Sequence, residues 1–253
     1  MRDATPALSV GQAVPPAELA QPLPRGRGSV PGTAGRICEL RDLGRLDYGP
    51  ALDLQRALVE KRKQGLVPDQ FLIVEHPHVI TIGRNGKPGH LLASEDVLRR
   101  AGISFFPTDR GGDITYHGPG QLVGYPIVDL REWKKDVVAY VRSMEQALID
   151  TLADFGIAAG RETGMTGVWV EGRKIAAIGV HISRWITSHG FALNVTTDLR
   201  YFQYIVPCGL AKPVTSMAAE LGAEPKRAEL IASLARHFAE QFGFEMAVTE
   251  EAL

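Results

Sequence analysis

Cysteine is scarce: there are two in 253 residues, Cys38 and Cys208, far apart in the chain. No disulfide framework and no C-x-x-C metal ribbon can be built from them, and a reducing cytoplasm is the expected setting. Net charge is scarce as well. The 28 Lys and Arg nearly cancel 29 Asp and Glu, leaving −1, which argues against a general nucleic-acid or membrane-surface binder. No apolar run reaches transmembrane length. Met1 to Ala20 is broken by Pro6, Pro15 and Pro16, where a signal peptide would keep an apolar centre. The phosphate-cradling patterns G-x-x-x-x-G-K-S/T and G-x-G-x-x-G are both missing. There is no internal repeat, no paired acidic motif and no His/Asp pair at helical spacing.

What is present is a stretch of unusual composition, Arg110-Gly111-Gly112-Asp113-Ile114-Thr115-Tyr116-His117-Gly118-Pro119-Gly120-Gln121. Glycine lets backbone pass close to a ligand, and proline fixes φ. A Gly-Pro turn between strands is one reading. The polar side chains interleaved with the glycines favour another, a backbone that lines a pocket.

Residues 1–35, rich in Pro, Gly and Ala, read as a mobile extension. Residues 36–253 read as one catalytic domain. Arg36–Arg41 is a short strand whose Cys38 is a small buried hydrophobe. Tyr48–Gln64 is an amphipathic helix with Tyr48, Ala51, Leu52, Gln55, Leu58 and Val59 on one face. Gln70–Glu75 and Val79–Ile82 are strands split by His76-Pro77-His78, a structural turn in preference to a metal site. Ser94 caps a short helix. Ile103–Phe106 leads into the glycine-rich stretch and Gln121–Val128 leaves it, with Pro126 marking an edge or bulged strand.

Asp136–Phe155 is the strongest helix, striped by Val137, Tyr140, Val141, Met144, Leu148, Leu152 and Phe155. Gly167–Glu171 and Lys174–Ile182 form a hairpin about Gly172-Arg173. His189–Val195 and a less regular Leu199–Val206 continue the β-rich part. Pro225–Phe242 is a final helix with Leu230, Ile231, Leu234, Phe238 and Phe242 inward. Strands in hairpins, with some helices between, predict an α+β fold: a mixed, mainly antiparallel sheet flanked by helices.

Cys208, between Pro207 and Gly209, is the one nucleophile in a distinctive setting, although free cysteines are commonly inert. To be reactive it needs a base or cation, and Lys174, His117, His181 and His189 are candidates. Taken alone, Lys174 reads as a solvated strand end. Turned into a pocket, it would become a proton carrier. Spacing does not decide between these.

Five segments in this order carry a specific resemblance: EHPHVITIGR (Glu75–Arg84), RGGDITYHGPGQLVGYPIVDL (Arg110–Leu130), GVWVEGRKIAAIGVHI (Gly167–Ile182), HGFALNV (His189–Val195) and IVPCGL (Ile205–Leu210). From about Cys38 to Leu221 the chain resembles the lipoyl(octanoyl) transferases of lipoate biosynthesis, the octanoyl-acyl-carrier-protein:protein N-octanoyltransferases. The resemblance implies a fold similar to the catalytic domain of biotin and lipoate protein ligases. It implies an octanoyl donor on acyl carrier protein, and an acceptor lysine on a lipoyl domain or glycine cleavage H protein. No metal and no ATP is expected, and neither nucleic acid nor membrane is an expected partner. The family's cysteine falls on Cys208 and its lysine on Lys174. Acyl-pocket positions fall on Arg110, Gly111, Gly112, Asp113, Ile114, Thr115, Tyr116 and His117, on Ala177, Ile178 and Gly179, and on Gly190, Phe191 and Ala192. Arg84 and His189 stand beside them. Two alternatives are an ATP-dependent lipoate or biotin ligase and a catalytically inactive acyl-protein binding module. The intact Cys208 and Lys174 argue against both.

Overall fold

The computed structural model describes residues 35–206 and 212–249. The expected N-terminal extension, but for Gly35, lies outside these residues, as does Cys208. Strands β1 (Arg36–Arg45), β2 (Asp69–Glu75), β6 (Gln121–Ile127), β7 (Val168–Val170), β8 (Arg173–Ser183), β9 (Ile186–Asn194) and β10 (Phe244–Val248) form one sheet in the order β10-β1-β2-β6-β9-β8-β7. β1 runs parallel to both of its neighbours, and the remaining pairs are antiparallel. A second sheet places β3 (Val79–Ile82) between β4 (Ser104–Pro107) and β5 (Ile114–His117). This is the mixed, mainly antiparallel α+β architecture expected.

Helix α1 (Tyr48–Lys63) covers one face of the large sheet, while α3 (Val137–Asp154) and α5 (Arg227–Phe242) cover the other. The strand β2 shows why this works. Its alternation sends Phe71 and Ile73 to the cluster with α3 and α5, and Leu72 and Val74 to the cluster with α1. Both faces are apolar because both are covered. The expected inward face of α1 is buried in full. Asp136 caps α3 by accepting from Ala139 N at 2.9 Å. Ser94 likewise caps α2 (Glu95–Arg100). Cys38 is fully buried in the larger cluster, where burial pushes its thiol well above the usual range.

Several expectations are corrected. Part of the glycine-rich stretch is itself a strand, β5, because Ile114–His117 pairs with β3. Leu199–Tyr204 is a 3-10 helix and not a strand. A short helix, α4 (Met217–Leu221), and the edge strand β10 had no clear sequence signal. The hairpin turns at Glu171-Gly172, one residue earlier than expected. Both residues have positive φ (48° and 76°), as a tight two-residue turn between twisted strands requires.

The Pro126 strand is neither an edge nor bulged. β6 is central, and the ladder to β9 keeps its register but has a gap opposite Pro126. Three features accommodate the missing donor. Thr187 Oγ1 donates to Pro126 O and accepts from Val128 N, both at 2.8 Å. His189, opposite the proline, has φ +55°. Gly190 has no Cβ to meet the proline ring.

Candidate active site

Strands β5, β6, β8 and β9 and the glycine-rich loop enclose a cavity of about 620 Å³, within the range of small-molecule sites. The loop is bound to its neighbours by main-chain bonds. Gly111 N donates to Val180 O at 2.8 Å, Arg84 N to Arg110 O at 3.0 Å and Asn85 N to Gly112 O at 3.1 Å. Close approach explains the glycines on the opposing strands. A Cβ on Gly179 would stand 2.8 Å from Gly111 O, and one on Gly83 would stand 2.5 Å from Gly112 O.

Of the residues singled out in the sequence, Arg110 to Thr115, His117, Ala177 to Gly179, and His189 to Ala192 all line this cavity, and so does Lys174. Tyr116 does not. Alternation along β5 turns its ring to the other side, where it stacks on Tyr201 at 5.1 Å and its hydroxyl lies 2.7 Å from His78 Nδ1. Arg84 is exposed and outside the cavity. His181 lies 3.6 Å from Asp109. Lining residues that sequence reasoning passed over include Tyr48, Val137, Val141, Trp169, Asn194 and Lys212. Val137 and Val141 had been assigned to the core stripe of α3. A stripe wider than the helix's contact with the core was the available signal, since Val137 at its start is 43% exposed.

The wall is held rigidly. Arg110 donates to Thr81 O at 2.7 Å and to Thr81 Oγ1 at 2.9 and 3.2 Å. His117 Nδ1 donates to Gln121 Oε1 at 2.8 Å, and Gln121 Nε2 donates to Asn194 Oδ1 at 2.9 Å. Asn194 Nδ2 then donates to Thr215 O at 2.9 Å. Thr215 N donates to Lys174 O, and Lys174 N to Pro213 O, both at 2.9 Å. A polar chain therefore runs from the glycine-rich stretch to the main chain that carries Lys174. The Lys174 ammonium lies 4.7 Å from the centroid of the Trp169 ring. His76 Nδ1 donates to Leu46 O, and its Nε2 accepts from Tyr125 OH, both at 2.7 Å, so the His76-Pro77-His78 turn is structural. Among the described residues no group of three or more His, Cys, Asp and Glu is placed to hold a metal.

Burial lowers His117 from the ordinary histidine value of 6.5 to about 3, with His76 and Arg110 adding to the shift. His189 and His76 are also lowered by burial, while Asp109 is held below the usual carboxylate range by its 2.8 Å bond from His189 Nε2. The neutral His117 stabilises the fold fully above pH 6.5. Below it the unfolded chain takes up a proton that the folded chain refuses until about pH 3. Stability should therefore fall on acidification from about pH 6.5 towards pH 3, by about 1.4 kcal/mol per pH unit for this group alone. Urea melts over that range should show a shallower fall for His117→Gln. Equal slopes for the two proteins would remove His117 as the cause.

Comparison with known proteins agrees with this geometry. Residues 47–239 match the lipoyl protein ligase A/B catalytic domain family. An octanoyltransferase of Solibacter usitatus is 67% identical over 211 residues, covering 83% of this chain and 96% of the relative. One from Acidobacterium capsulatum is 50% identical, covering 83% and 92%. Among solved structures, lipoate-protein ligase A bound with ATP superimposes with a TM-score of 0.67 at 18% identity, covering 87% and 90%. The bipartite lipoate protein ligase of Thermoplasma acidophilum gives 0.64 at 19%, covering 86% and 88%. At such identities the structures speak to fold alone. The match to the octanoyltransferases over 83% of the chain decides the rest: the chain belongs to the lipoyl protein ligase A/B catalytic domain family, as one of its octanoyltransferases.

Proposed function

We propose that the protein moves an octanoyl group from acyl carrier protein to a lysine of a lipoyl domain or of glycine cleavage H protein, through a thioester on Cys208. One observation carries the reading. Lys212, four residues beyond Cys208, lies at the Trp169 ring beside Lys174, and four residues of chain span at most about 14 Å. That length of chain joins Lys212 to the nucleophile candidate, and Lys174, the one lysine that the expected chemistry needs, lines a cavity suited to an acyl chain.

In the first step the Cys208 thiolate attacks the donor thioester carbon. The bond to the pantetheine sulfur breaks, and that sulfur leaves as a thiol with the proton of the Lys174 ammonium. One thioester replaces another at nearly equal energy, so no ATP or other cofactor is required. In the second step the acceptor amine attacks the Cys208 thioester, neutral Lys174 takes its proton, and the Cys208 thiolate is released as the amide forms. Backbone N–H groups of the glycine-rich segments are suitable donors to the oxyanion. Each buried methylene of the acyl chain contributes about 0.8 kcal/mol to binding; Gly112 and Ala177 help to line the slot, while the absent Cβ atoms of Gly179 and Gly190 face the main chain of Gly111 and Gly124 instead. Among the described residues no helix is long and apolar enough to cross a membrane. We assign the protein to the cytoplasm on its cysteine content.

Intact-mass spectrometry after mixing with octanoyl-acyl carrier protein, without ATP, should show one added octanoyl group. Hydroxylamine should remove it, and Cys208→Ser should not form a labile adduct. Transfer that proceeds without an adduct on Cys208 would overturn the covalent route. Transfer only from free octanoate with ATP would establish the ligase chemistry instead.

A further inference from the structure

Two lysines, not one, approach the same indole. The Lys174 ammonium is 4.7 Å from the centroid of the Trp169 ring and the Lys212 ammonium is 5.2 Å from it. Laid end to end, those distances place the two cations no more than about 10 Å apart. The ring is a fixed platform. Trp169 is 4% exposed, and its main chain exchanges two hydrogen bonds with Gly160, at 2.8 and 2.9 Å. All three side chains line the cavity. An aromatic face holds an ammonium in place. A second ammonium nearby disfavours charge on the first.

We propose that Lys212 is a second cation of the acyl-transfer site, held with Lys174 on the Trp169 ring, and that it pushes Lys174 towards its neutral, proton-accepting form. This rests on the reading above, in which Lys174 must shed and recover a proton at each turnover. Trp169 is then a positioning residue, and Lys212 acts through Lys174 without touching the reacting atoms.

Among the described residues, the other charged groups around the cavity each have a partner of their own. Arg110 is bound to Thr81, Asp113 to His90 and Asp109 to His189. Glu145, whose carboxylate accepts from Gly167 N near Lys174, is paired with Arg142 and Arg161. Arg173, next along β8, is paired with Glu220. His117 is neutral at pH 7.

Competitive acetylation of amines with acetic anhydride across the alkaline range, read peptide by peptide in the mass spectrometer, reports the labelling midpoint of Lys174 whether or not the protein transfers octanoyl groups. Two like charges about 10 Å apart in a partly buried site displace a titration by about one pH unit. Lys212→Gln should move the Lys174 midpoint up by about that much, and Lys212→Arg should leave it in place. The alkaline-favoured limb of the transfer pH profile should move with it, giving about a tenfold slower rate at neutral pH that recovers at higher pH. An unmoved midpoint in Lys212→Gln, or the same displacement in both variants, overturns the proposal. A changed KM with an unchanged pH profile also overturns it, making Lys212 a donor-binding residue only. Full transfer by Lys174→Ala would instead sink the mechanistic reading, while the Lys174 midpoint would still report the effect of Lys212.

Discussion

Replacing Lys174 by alanine should slow octanoyl transfer by about a hundredfold or more, the usual scale for losing a positioned proton carrier, while leaving the fold intact. The fold should be spared because the main chain of Lys174 ties the local structure together: its N–H and C=O bind Pro213 and Thr215, and alanine keeps both bonds. The chemistry is not spared. In the proposed mechanism, removing Lys174 takes the proton source from the departing pantetheine sulfur and the proton acceptor from the attacking amine. Lys174→Arg separates charge from proton transfer. Arginine keeps a cation near the Trp169 ring but does not release a proton near neutral pH. It should therefore still form the Cys208 thioester, slowly, and then stall before amide formation. Rapid-quench mass spectrometry would show the trapped acyl-enzyme. An arginine variant with near-normal turnover would reduce Lys174 to a fixed cation and remove its role as a base.

Gly190→Val should have the largest effect on stability. A Cβ at that position would stand 2.1 Å from Gly124 O and 2.7 Å from Pro126 Cδ. The first is main chain of the central strand β6 and the second is a rigid ring, so neither can turn aside as a flexible side-chain tip would. Relief requires β6 and β9 to separate in the middle of the large sheet, directly beneath the cavity. A cost above about 3 kcal/mol is expected, which lowers the melting temperature of a chain this size by about 10 °C. Gly160→Ala is the control, since a Cβ there meets nothing within 4 Å. It should melt within about 2 °C of the parent. A stable Gly190→Val would show that the two strands are not held as close as described.

The reach of the sequence follows the range of the interactions. The inward faces of α1, α3 and α5, and the cap at Ser94, were legible because helical period and capping depend on residues three or four apart. The residue types of the site were legible too, because five short segments occur in one order, and their match to a family needed no coordinates. Pairing between distant strands was not legible. Nothing local distinguishes Ile114–His117 from a loop until β3 lies beside it. Nothing local announces that Pro126 sits in a central strand, because its tolerance depends on Thr187, His189 and Gly190, more than 60 residues away. The same limit applies within the site. Tyr116 and His117 are adjacent in one motif, yet strand alternation sends their side chains to opposite sides, and only the sheet determines which side holds the cavity. Taken alone, Lys174 reads as a solvated strand end; only the tertiary structure lays Pro213 and Thr215 along it and its side chain against the cavity. The short motifs thus determined the family. The tertiary structure decided which side chains face the cavity and brought Trp169, Lys174 and Lys212 together, because strand pairing and packing between residues far apart in the chain set those positions.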